Sequence, residues 1–167
     1  MNSTPAHAVT VVSAARGNPD QRFEHPEKAV VAYQQIIEIA TRIRGTQEIT
    51  DEVNKVVRAS GVETGLANIF VLHTSCSVII TENASTAVRR DLEMLARRWA
   101  PDGDSAYLHS DEGDDDMAAH GRNIIAGTSV TVPVKNGQLL LGTWQGIYLW
   151  EHRTHKHRRR IVVTVIG

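Results

Sequence analysis

Histidine is the residue whose number stands out in this chain. There are eight, as many as tryptophan, tyrosine and phenylalanine together. Neutral imidazoles bind divalent metals, and three of them with one coordination position left open form a known catalytic zinc arrangement. His73, His109 and His120 are the three placed to do so. His73 closes a strongly apolar segment, where an unpaired imidazole would be costly. His109 and His120 flank an acidic loop carrying Asp111, Glu112, Asp114, Asp115 and Asp116. Those carboxylates suit acceptors for the free ring N–H groups, or hard oxygen ligands for magnesium or manganese. His-x10-His is no established metal motif, so spacing alone leaves a hydrogen-bonded structural role open for each ring.

The other histidines read differently. His7 and His25 fall in an N-terminal tract expected to be solvated. His152, His155 and His157 belong to the basic run EHRTHKHRRR with Arg153, Lys156, Arg158, Arg159 and Arg160. That run is either a solvated turn between two strands or a rim that grips phosphate, since arginine binds phosphate oxygens in bidentate fashion. Thr81 to Ser85 joins a strand to a helix start, where backbone N–H groups favour an anion; Glu82, Asn83 and Ser85 acting only as caps is the competing reading. Leu141 to Gly146 sets glycines around Trp144 and Gln145, which can stack on a ring and hydrogen-bond a substrate. Cys76 reads as a small buried packing residue.

Composition bounds what these residues can serve. The chain has 167 residues, enough for one domain with its own core. A formal net charge of −1, from 18 basic and 19 acidic residues, offers no global argument for a nucleic-acid or membrane partner. One cysteine excludes an internal disulfide framework. No apolar run approaches the roughly 20 residues of a membrane-spanning helix, and no basic-then-apolar leader begins the chain. Cytoplasmic location is the expectation.

Periodicity supplies the elements. Residues 1–30 read as a flexible extension, with a short strand possible at Val9 to Val12 if something covers it. Residues 31–167 read as one domain. Strands are expected at Tyr33 to Ile43, Leu66 to His73, Ser77 to Thr81, Ser129 to Val134, Gln138 to Leu141, Gly146 to Trp150 and Arg160 to Ile166. Helices are expected from Thr50 to about Gly61, after Ser85, and from about Met117 to Ala126. In the second, Val88, Leu92, Leu95 and Trp99 share one face, predicted to be buried. Asn136-Gly137 signals a type I′ hairpin. This order does not alternate as a doubly wound fold would. The expectation is an α+β domain, a largely antiparallel sheet with about three helices packed on it.

The blocks HTSCSVIITENAS, VRRDLEML, YLHSDEGDDDMAAHGRNIIAGTSVTVPVKNGQLLLGTWQGIYLWEHR and RRRIVVTVIG resemble the YjbQ-like family in order and spacing, from about Tyr33 to Gly167. The family is also described as secondary thiamine-phosphate synthase. The resemblance implies an antiparallel α+β fold, assembly as a homotrimer, and a polar pocket near a subunit boundary. The pattern matches at His73, Thr74, Ser75, Glu82, Asn83, Asp91, His109, Glu112, His120, Trp144, Gln145 and Glu151, among others. Cys76 stands where a small residue is usual, which argues against an essential thiol.

The activity it implies joins a hydroxymethylpyrimidine pyrophosphate to a thiazole phosphate and releases pyrophosphate. On that reading His73, His109 and His120 hold a divalent cation, zinc or magnesium. Asn83 and Gln145 orient substrate, and Asp91 or Glu112 handles protons. Thr74, Ser75, Glu82, Trp144 and Arg158 contact a small phosphorylated metabolite. Two competing readings stand beside it. One is a zinc-dependent hydrolase of a phosphorylated or acyl metabolite. The other is a non-enzymatic trimer that binds an anion or partner through the basic turn.

Overall fold

The computed structural model describes residues 30–167 with their side chains and the backbone of residues 7–11. The expected flexible extension therefore lies outside the described residues, except for one strand, β1 (His7–Val11). β1 pairs antiparallel with β2 (Val30–Ala40), so the covering partner that Val9 to Val12 required is the first strand of the domain.

From β2 the chain runs through β3 (Gly45–Glu48), α1 (Thr50–Ser60), β4 (Thr64–Val71), β5 (Cys76–Glu82), α2 (Thr86–Trp99) and α3 (Asp116–Ala126). It ends in β6 (Ser129–Lys135), β7 (Gln138–Leu139), β8 (Gln145–Glu151) and β9 (Arg158–Ile166). The α+β class holds: among the described residues there are three helices and all-antiparallel strand pairs. Asn136 and Gly137 both have positive φ, as a type I′ turn needs.

Two features depart from the sequence reading. The strands form two sheets, β1-β2-β9-β4-β6-β7 and β3-β8-β5. β3 was not expected, because GTQE carries no apolar alternation; its pairing with β8 makes it a strand. The expected buried face of α2 is also only partly covered. Val88, Leu92 and Leu95 are half-buried, Trp99 is 50% exposed, and only Ala96 is buried.

The core lies between the sheets and α1. Val53, Val56 and Val57 of α1 meet Ile69 and Val71 of β4, and Ile161, Val163 and Val165 of β9. Val78 of β5, with Ile147 and Leu149 of β8, closes it from the smaller sheet. Full burial of each such side chain contributes about 1.5–3 kcal/mol. Strand alternation makes β9 inward-facing at Arg159, Ile161, Val163 and Val165. The first of these positions is an arginine, so a charge enters the core edge and must be paired there.

That pairing corrects the reading of the basic turn as uniformly solvated. Arg159 is 3% exposed and Glu151 1%, and the two are joined by Nε to Oε2 at 2.7 Å and Nη2 to Oε1 at 2.5 Å. Thr41 Oγ1 and the Arg153 backbone N–H also donate to Glu151. Burial alone would raise the Glu151 carboxyl, but the Arg159 and Arg153 hydrogen bonds outweigh it and hold it below the ordinary range. His152 is fully buried, with Nε2 2.9 Å from Ser77 Oγ and Nδ1 without a hydrogen-bond partner. Burial, then the charge of Arg122, pushes its pKa down to about 3.

Candidate metal centre

α3 begins at Asp116, and four residues later His120 lies on the same face. His109 precedes the helix by seven residues. The intervening loop returns through Gly113, at φ +102, with hydrogen bonds from Gly113 N to Ser110 O and from Asp116 N to Gly113 O. The result is a convergence of three side chains. His109 Nε2 lies 2.8 Å and His120 Nε2 3.3 Å from the same oxygen, Asp116 Oδ2. The two rings are 5.6 Å apart between centroids. Asp116 is buried, whereas His109 is exposed and His120 half-buried, so the group opens to solvent on the histidine side.

Each member is held from behind. His120 Nδ1 donates to the Thr74 carbonyl at 3.0 Å, which leaves Nε2 to face Asp116. Arg153 Nη1 donates to Asp116 Oδ1, and Nη2 to the Glu112 carbonyl. Arg153 Nε lies 3.2 Å from Asp115 Oδ1, and Asp115 Oδ2 accepts from the Thr154 N–H and hydroxyl. Burial opposes ionisation of Asp115, but the Thr154 hydrogen bonds and Arg153 outweigh it and hold its carboxyl below the usual range.

The donor set fits a divalent cation. The three ligand atoms lie within 4.8 Å of one another. Donors at about 2.0–2.1 Å around a tetrahedral zinc are roughly 3.3 Å apart; the His120–Asp116 separation of 3.3 Å meets that spacing and the His109–Asp116 separation of 2.8 Å is shorter. With Nδ1 committed to Thr74, His120 Nε2 meets the Asp116 oxygen either through a proton of its own or through a cation between them. Two imidazoles and one carboxylate suit zinc; magnesium prefers an all-oxygen shell.

His73 is not part of this group. Its Nε2 accepts the Arg160 backbone N–H at 2.8 Å. Burial, then the charges of Arg159 and Arg160, lower its pKa and keep the ring neutral for that role. The third side chain of the cluster is Asp116, a member of the acidic loop read as supporting acceptors or hard ligands. The signal for it was the Asp-x3-His spacing at the start of a helix.

The remaining expected site residues divide between places. Thr74 supplies its carbonyl to His120, and Ser75 its carbonyl to Arg159 Nη2 and the His152 N–H. Glu112 is exposed, its carboxylate 3.8 Å from Arg153. Arg158 is an exposed side chain near Glu38. Glu82, Asn83, Trp144 and Gln145 form a second group at the far end of β5. There Glu82 Oε1 accepts the Ser85 N–H, Asn83 Nδ2 donates to the Thr143 and Gln145 carbonyls, and Gln145 Oε1 accepts the Gly142 N–H. Trp144 is 66% exposed. Gly146 is needed there, since a Cβ would sit 2.9 Å from the Tyr148 ring. Asp91 is exposed on α2 and makes no side-chain hydrogen bond or ion pair among the described residues. β5 has seven residues and is about 20 Å long, so one chain keeps the Asn83–Gln145 group apart from the histidine cluster. The buried Cys76 lies between them, its thiol pushed up to about 12 by burial. Among the described residues, no helix is long and apolar enough to cross a membrane.

Residues 35–167 match the family described as UPF0047 protein YjbQ-like. A UPF0047 protein of Synechocystis is 45% identical over 135 residues, 81% of this chain and 92% of that protein. The UPF0047 protein YjbQ of Salmonella typhimurium is 43% identical over 136 residues, 81% of this chain and 98% of that protein. Among solved structures, a YbjQ-like protein of unknown function from Sulfolobus solfataricus superposes with a TM-score of 0.75 at 27% identity, covering 83% of this chain and 99% of its own.

Proposed function

The chain belongs to the YjbQ-like UPF0047 family, and from that premise we propose that it is a metal-dependent enzyme acting on a phosphorylated small molecule, with His109, Asp116 and His120 as the metal ligands. The observation that carries this reading is the convergence of His109 Nε2 and His120 Nε2 on Asp116 Oδ2. Zinc bound there would supply Lewis-acid polarisation of a phosphoryl oxygen.

The chain's own residues do the rest. The Thr74 carbonyl fixes the His120 tautomer, and Arg153 holds the Asp116 carboxylate in place and balances its charge. Glu112, exposed and 3.8 Å from Arg153, accepts a proton from an incoming water or hydroxyl. His109, the most exposed of the three ligands, faces the side from which substrate arrives. It also lines a small recess of about 210 Å³ with Tyr107, Ser110 and Asp114.

Two reactions fit this apparatus. The coupling of a hydroxymethylpyrimidine pyrophosphate to a thiazole phosphate rests on the family resemblance. Hydrolysis of a phosphate ester is favoured by the donor set, which suits zinc rather than magnesium. Exposed Leu108, Ile124 and Ile125 flank the cluster, which supports assembly as a homotrimer with a neighbouring chain closing the site. The test is an assay of purified protein, with zinc or magnesium, on the two coupling substrates and separately on a panel of phosphate monoesters. Turnover lost in Asp116→Asn and kept in His73→Ala supports the reading. Turnover at background on every substrate, or equal in wild type and Asp116→Asn, overturns it.

A further inference from the structure

A second site lies along α2, and nothing in the histidine cluster accounts for it. One face of this helix and the segment from Arg44 to Thr46 enclose a cleft of about 700 Å³, a volume in the range of small-molecule sites. Its lining includes five arginines, Arg44, Arg89, Arg90, Arg97 and Arg98, against a single carboxylate, Glu93.

Glu93 offsets only part of this charge. Its Oε2 accepts the Trp150 indole N–H at 3.2 Å, and its Oε1 accepts Arg97 Nε at 3.4 Å. Arg44 is committed to Asp102, with two hydrogen bonds of 2.6 and 3.0 Å, and to the His152 carbonyl. Among the described residues no carboxylate lies within 4 Å of Arg89, Arg90 or Arg98. Arg89 is held by another means: its guanidinium carbon sits 5.7 Å from the centre of the Tyr148 ring, which fixes its position without cancelling its charge. Excess positive charge with idle bidentate donors is thus concentrated in one concave place, in a chain whose net charge is −1.

The arrangement has length as well as sign. Arg89 and Arg90 lie eight residues before Arg97 and Arg98, which is about 12 Å along a helix. Met94, 38% exposed, puts an apolar surface between the two pairs. An anion with one compact charge would engage one pair; a ligand with phosphoryl groups on both sides of a neutral body would engage both.

We propose that the α2 cleft binds a small molecule carrying more than one phosphoryl group, through Arg89, Arg90, Arg97 and Arg98. The site is separate from His109, Asp116 and His120, and the inference stands whether or not they hold a metal.

The test is calorimetric titration of the full chain with inorganic pyrophosphate, after metal has been stripped with a chelator and the chelator dialysed away, so that the histidine site contributes nothing. Saturable binding is expected, weakened about tenfold or more in the double variant Arg90→Ala/Arg97→Ala and weakened by added salt. Arg58→Ala, an exposed arginine of α1, is expected to bind within about twofold of wild type. Because Arg90 and Arg97 are exposed, the double variant is expected to melt as wild type does, which separates lost binding from lost fold. Failure to saturate by about 10 mM pyrophosphate, or unchanged affinity in the double variant, overturns the proposal. Tighter binding of a 12-nucleotide single strand than of pyrophosphate also overturns it, in favour of nucleic acid.

Discussion

His120 Nε2 lies 3.3 Å from Asp116 Oδ2, while its Nδ1 is committed to the Thr74 carbonyl 3.0 Å away. The second distance gives the first its meaning. With Nδ1 donating there, Nε2 can meet the carboxylate only through a proton of its own or a cation between them. A helix start, a one-turn spacing and one backbone carbonyl on the β4–β5 loop are all the fold needs to build this.

Zinc content should follow that geometry. Asp116→Asn and His120→Ala are each expected to weaken zinc binding by tenfold or more, and His73→Ala to leave it unchanged within about twofold. Competition against a chromogenic chelator measures all three. Equal loss in His73→Ala would return His73 to the ligand set.

Stability should fall on mild acidification. His152 has its pKa pushed down to about 3 from an ordinary 6.5. Below pH 6.5 the unfolded chain takes up a proton there that the folded chain refuses. Stability is therefore full above 6.5 and is lost as pH falls toward 3, by up to about 1.4 kcal/mol per pH unit for the one group. His73 and His157, also lowered by burial, act with the same sign. Thermal melts between pH 7 and 5 are expected to show a shallower decline in His152→Gln than in wild type. Parallel declines would contradict the assignment.

Much of this was legible in the sequence, and the failures have physical causes. Helix α3, the Asn136–Gly137 turn and the alternation of β9 could be read because local chemistry and burial agree there. The burial of His152 and Arg159 could not. In a run of nine charged or imidazole residues around one threonine, composition says solvent, but strand alternation carries Arg159 inward and Glu151 waits opposite. Asp116 was visible as one acid among five, and only the turn through Gly113 selects it. His73 matched the family pattern as well as His120 did; what separates them is which backbone group each ring meets.

The Glu151–Arg159 pair should be a point of structural fragility. Both groups are buried, so removing one strands the other. Glu151→Ala is expected to cost about 3–5 kcal/mol in urea unfolding. A loss below about 1 kcal/mol would mean that water reaches Arg159.

Trp144 should separate stability from function. It is 66% exposed, so Trp144→Ala is expected to change unfolding free energy by no more than about 0.5 kcal/mol. If it stacks on substrate, the same variant raises KM several-fold in the proposed reaction. A large stability loss with unchanged KM would make it a packing residue.

The most direct test of the metal centre is diffraction from zinc-loaded crystals at the zinc absorption edge. An anomalous peak about 2.0–2.2 Å from His109 Nε2, Asp116 Oδ2 and His120 Nε2 is the expected result. No peak there at full zinc loading, or a peak coordinated by His73 in its place, would contradict the account.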